Sequence, residues 1–209
     1  MEVENIEDRG DAILVVGQGD NVLKLKVDTH MLRAASKTFD VMFGQNFSEG
    51  QGLSYTNPKE IKLEDDDAEA MQVICKIVHM KHEINPNKLY WGSTLSIARL
   101  VDKYDLRNAI GPTMTVYMLT QCDLVQSAMP AGTADLMPLL ETALLLNDET
   151  VFDKVSKTLV LESTTSDDMY RYKVEEQISE KYYRAVRKSY IELPCSADYI
   201  LTGHSADND

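Results

Sequence analysis

The chain has 209 residues, 44% of them hydrophobic and 26% charged, which is material for one domain with an extension or for two small domains. A formal net charge of −13 repels phosphate backbones and anionic headgroups, and so argues against nucleic acid or a membrane surface as partner. Cys75, Cys122 and Cys195 are far apart with no C-x-x-C pair, which argues against a disulfide framework and a structural zinc site and suits a reducing compartment.

The leader MEVENIEDRGD is acidic and has no basic stretch followed by an apolar one, so no secretory signal is expected. No apolar run approaches the ~20 residues of a membrane span. In that setting the sequon Asn46-Phe47-Ser48 is expected to be a chance match. "AILVVG" (12–17) is β-rich, and in "VLKLKV" (22–27) Val22, Leu23, Leu25 and Val27 surround Lys24 and Lys26 in near-strict alternation. The Gly-rich connection between them predicts a hairpin.

From Asp28 the period becomes helical, with Met31, Leu32, Ala35, Phe39, Met42 and Phe43 on one stripe. Asp28 or Thr29 caps a first short helix, and Ser36 divides it from a second and caps that one. Phe47 then stands among Gly44, Asn46, Ser48, Glu49 and Gly50, residues that turn the chain and take the ring off the helical core. It is either a plug for the protein's own interior or an anchor offered to a partner.

"KEIKLED" (59–65) predicts a third strand, and "DDDAEAMQVICKIVHMKH" (65–82) a helix with acids at its start and bases at its end, matching the helix dipole. A further helix is expected over 93–110, broken by Gly111-Pro112, and another over 113–122. "SAMPAGTAD" (127–135) reads as a linker. Helices are expected at about 136–147 and 148–161 with Asn147 or Asp148 between them, and an amphipathic one at about 174–190 before a frayed tail. The expected core is Leu32, Phe39, Met42, Ile74, Val78, Leu100 and Tyr104.

Catalytic and cofactor signatures are weak. Gly17-x-Gly19 follows a strand, yet no third glycine and no helix follow, so it reads as a turn. Cys75, His79 and His82 fall at i, i+4 and i+7, half of a zinc site in spacing, but they read as a core cysteine and two histidines in a helix's last turn. "EDDDAE" (64–69) reads as solvated acids at a helix start, and "KYYRAVRK" (181–188) as bases near a helix end. With no G-x-S-x-G either, no enzyme, metal or cofactor is expected.

The order of elements, with the wording of four segments, resembles the BTB/POZ domain, in particular the BTB proteins of filamentous fungi. The segments are "GDAILVVG", "VLKLKVDTHMLRAASKTFDVMFG", "EIKLEDDDAEAMQVICKIVH" and "LVDKYDL" (100–106), the last close to the family's A-D-K-Y-x-[LV] helix. The resemblance implies an α+β fold, a small mixed sheet packed on a helical cluster, over residues 10–122. A linker would follow at 123–135 and a helical C-terminal extension with a frayed tail at 136–209.

It also implies a protein–protein interaction module of the cytoplasm or nucleus. In BTB adaptors a hydrophobic-x-Glu motif inserts its apolar residue into the N-terminal region of a cullin, the scaffold of a ubiquitin ligase. Phe47-Ser48-Glu49 holds the matching place. The alternative is a transcriptional or scaffolding regulator that contacts other BTB proteins and no cullin. The animal family's exchanged N-terminal element looks absent from the polar leader, where Val3 and Ile6 are the only aliphatics, so a monomer or weak homodimer is expected.

Overall fold

Strand alternation sorts the sheet's residues between core and surface. In the computed structural model, which describes residues 2–81, 91–127 and 136–162, β2 (Ala12–Val16) buries Ala12, Leu14 and Val16 completely. β3 (Leu23–Val27) runs antiparallel to it with Leu25 opposite Leu14. The connection turns at Gly17, whose φ of 92° and carbonyl neighbour, Asn21 O at 2.4 Å from where a Cβ would sit, exclude a side chain.

Two parallel neighbours complete a four-stranded sheet of order β1-β3-β2-β4. On the far side of β2, β4 (Lys59–Leu63) sets Ile61 beside Leu14. Beside β3 lies β1 (Val3–Asn5), which the polar leader does not announce. Ile6 is buried and donates its N–H to Lys26 O at 3.1 Å, while Glu4 reaches Lys76 Nζ at 2.8 Å. Three residues are too few for a period to be read, and tertiary partners make this strand.

The two short helices form as their caps dictate. Asp28 accepts the His30 N–H at the start of α1 (Thr29–Ala35), and Asp11, just ahead of β2, accepts both the N–H and the hydroxyl of Thr29 at 2.8 Å. Ser36 ends α1 and caps α2 (Lys37–Met42) through the Phe39 N–H at 3.0 Å. The next helix, α3 (Ala68–Val78), is capped by Asp67.

The expected break at Gly111-Pro112 lies elsewhere. α4 (Trp91–Lys103) ends where Asp105 turns left-handed, φ 51°, and Leu106 N–H closes on Val101 O at 2.9 Å. α5 (Arg107–Ser127) then carries Pro112 inside it. The proline deletes one helical donor, but the left-handed aspartate is what turns the chain. Residues 123–127, expected as the start of a linker, are thus helical.

Left-handed Asn147 (φ 54°) separates α6 (Met137–Leu146) from α7 (Glu149–Glu162), and Asp148 accepts the Val151 N–H at 3.0 Å, the junction foreseen. The expected helix at 174–190 and the tail lie outside the described residues.

One hydrophobic cluster draws residues from each of these elements except β1. Leu32, Phe39, Ile74, Val78, Leu100 and Tyr104 are buried in it as expected, with Met42 half-buried at its edge. It continues without interruption through Met118 and Cys122 of α5 to Leu139, Leu140, Ala143 and Leu146 of α6 and Val151 and Val155 of α7. The C-terminal pair therefore shares the core of the sheet half, with α6 laid mainly on α4.

Leu100→Ala should lower unfolding free energy by about 2–5 kcal/mol in a denaturant titration, and a loss under ~1 kcal/mol would contradict its place in this cluster. The Thr142 hydroxyl is buried without a hydrogen-bond partner among the described residues. An unmade buried bond costs about 1–3 kcal/mol, so Thr142→Val, which keeps the shape, should leave the melting temperature unchanged or raise it.

Candidate functional site

The segment that follows α2 starts from a stacked aromatic base. Phe43 ends the helix, donating its N–H to Phe39 O at 2.9 Å, and its buried ring stacks on Phe39 with centroids 5.5 Å apart. Phe39 stacks in turn on Tyr104 at 4.4 Å. The Tyr104 hydroxyl donates to Asp66, whose carboxylate also holds Lys103 Nζ at 2.5 Å. The Ser36 hydroxyl donates to the Tyr104 carbonyl. Burial, then the hydrogen bond to Asp66, pushes the Tyr104 phenol pKa up.

Asp66, which the sequence groups with solvated acids at a helix start, is 5% exposed because Tyr104 and Lys103 replace its water.

Beyond Phe43 the chain folds back in successive turns. Gly44 N–H bonds Val41 O at 3.0 Å, Phe47 N–H bonds Gly44 O at 3.1 Å, Gly50 N–H bonds Phe47 O at 3.2 Å, and Gln51 N–H bonds Ser48 O at 3.1 Å. Gly50 returns so close to the end of α2 that a Cβ would sit 2.2 Å from Gly44 O and 2.4 Å from Phe43 O. The expected site residues come together on this loop. Phe47 is 47% exposed, Ser48 is exposed, and Glu49 is partly covered. Val41, one turn earlier, is 58% exposed.

Ser48 Oγ donates to Glu49 Oε2 at 2.9 Å. The Glu49 carboxyl titrates below its ordinary value, held down first by its own backbone N–H, then by the Ser48 hydroxyl, and last by the charge of Lys59. Lys59 is the residue that sequence reasoning missed. Its ammonium donates to the carbonyl of Ser48 and, at 2.9 Å, to that of Gln51, while the Gln51 side chain bonds Gln45 O at 3.3 Å. In sequence Lys59 shows only as the opening residue of a strand, and no local pattern marks it.

The histidine of the half zinc spacing has a structural task. His79 is 5% exposed, its Nδ1 is 2.8 Å from Cys75 O, and its Nε2 accepts the Asp28 N–H at 3.0 Å. Both ring nitrogens are engaged, so the imidazole joins the end of α3 to the start of α1 and has no lone pair for a metal. His82 lies outside the described residues. Asp11, Asp28 and His30 bring ligand-type atoms within 4.8 Å of one another, but both Asp11 oxygens are taken by Thr29.

No protein-family model matches the chain, and no curated protein matches it.

Burial, and then the charge of Glu4, pushes the Cys75 thiol up to about 12, and Cys122 is also fully buried. A thiol reagent at pH 8 should therefore modify Cys75 and Cys122 no faster than the protein unfolds, as read by mass spectrometry of the labelled peptides. Rapid labelling of Cys75 in the folded protein would contradict the packing of α3.

Proposed function

We propose that the chain is a protein–protein interaction module of the BTB/POZ type, an adaptor that offers Phe47 to the N-terminal region of a cullin and so recruits a partner to a ubiquitin ligase. The single observation that carries this reading is the 47% exposure of Phe47 on a loop closed by its own hydrogen bonds. Such an aromatic has little freedom left to lose on binding, the property of a hot-spot residue. The element order of a hairpin, two short helices, a further strand and then helices supports the family reading. So does the burial of Tyr104 in the D-K-Y segment.

In this reading the phenyl ring enters an apolar pocket of the cullin, and the Glu49 carboxylate fixes the loop or meets a donor on the partner. The module acts as a monomer or a weak homodimer. A scaffolding or transcriptional role through other BTB proteins is the alternative outcome of the same test.

Titration calorimetry with a purified cullin N-terminal fragment decides. Wild type should bind, and Phe47→Ala should lose 2 kcal/mol or more, about thirtyfold in Kd. Truncating an exposed ring costs the fold only ~0.5 kcal/mol or less, so the melting temperature should barely move. Glu49→Ala should weaken binding less. If Phe47 were a core plug instead, the alanine variant would lose about 3–5 kcal/mol of stability and show no separate binding defect. No heat from wild type would end the adaptor reading and leave the scaffold.

A further inference from the structure

Lys59 belongs to two parts of the molecule. As the first residue of β4 it donates its backbone N–H to Asp11 O at 3.2 Å, a bond of the sheet. Its ammonium meanwhile spans to the carbonyls of Ser48 and Gln51. We propose that Lys59 is a positioning residue for Phe47, a latch whose ammonium holds the 44–52 loop in the conformation that presents the ring. The inference rests on reading Phe47 as an anchor, and it adds the group that makes the anchor ready.

The loop has little burial to hold it. Gln45, Asn46, Phe47, Ser48, Gln51 and Gly52 are all exposed, so backbone bonds open to water carry most of its order. An ammonium donating to two carbonyls makes charge-assisted bonds, roughly twice as strong as neutral ones. The Ser48 carbonyl receives both the Gln51 N–H and Lys59, so the latch closes on the turn that follows Phe47 directly. The same charge adds, after the Glu49 backbone N–H and the Ser48 hydroxyl, to what holds the Glu49 carboxyl below its ordinary value. Without it the loop would spread over more conformations, and apparent affinity would fall by the fraction that no longer presents the ring.

Amide hydrogen exchange on the full chain tests this directly. Lys59→Met keeps the stem and removes the charge and donors, while Lys59→Arg keeps a cation with donors. The methionine variant should speed exchange at the Phe47, Gly50 and Gln51 amides by about tenfold or more and leave β2 and β3 within about twofold of wild type. Arginine should restore the loop to within about threefold. The Kd for the cullin fragment should rise about tenfold with methionine and recover with arginine. Unchanged loop exchange in Lys59→Met overturns the latch, and so does a rise spread evenly over the sheet, which would make Lys59 part of general stability. If wild type binds no cullin fragment, the adaptor reading falls, and the exchange rates still decide whether Lys59 holds the loop.

Discussion

The stack of Phe39 on Tyr104 gathers α2, the end of α4 and the turn before α3 around one buried contact. Its two rings come from residues far apart in the chain, one from α2 and one just past the end of α4, with centroids 4.4 Å apart. Around them polar groups that would be costly to bury alone are paired with one another. The Tyr104 hydroxyl is taken by Asp66, Asp66 by Lys103, and the Tyr104 carbonyl by Ser36, which also caps α2. An unsatisfied buried polar group costs more than a made bond returns, so this set stands or falls as one network. It fastens the turn before α3, the end of α4 and the whole of α2 to one point.

The exposed loop inherits its position from that point. Phe43, stacked on Phe39, is the last residue of the base, and Gly50 returns to its carbonyl. From the other side Lys59 ties the loop to β4 and hence to the sheet. A short polar loop anchored at both ends by rigid elements can hold an aromatic side chain in water, where the hydrophobic effect alone would fold it inward. The energy that keeps Phe47 out lies in backbone bonds and one lysine, not in apolar burial.

Much of this is legible in the sequence. The alternation in "VLKLKV" and the caps Asp28 and Ser36 need only local physics, and each element they mark is present. The turn-formers around Phe47 take it off the helical stripe but leave open whether its ring faces the interior or the solvent. What was not legible depends on groups distant in sequence. β1 is too short for a period and exists because β3 and Lys76 receive it. The α4–α5 turn sits at Asp105, which no propensity favours over the Gly111-Pro112 pair. Asp66 reads as a surface acid until Tyr104 is seen beside it, and the second role of Lys59 appears only when the loop has closed.

The proposed cullin contact is the loop that carries Phe47. Hydrogen–deuterium exchange of the intact chain, measured with and without a saturating cullin N-terminal fragment, puts it to the test. New protection centred on residues 41–52, with no change in the amides of β2, β3 or α6, is the expected result. Protection centred elsewhere, or none at all, would contradict it.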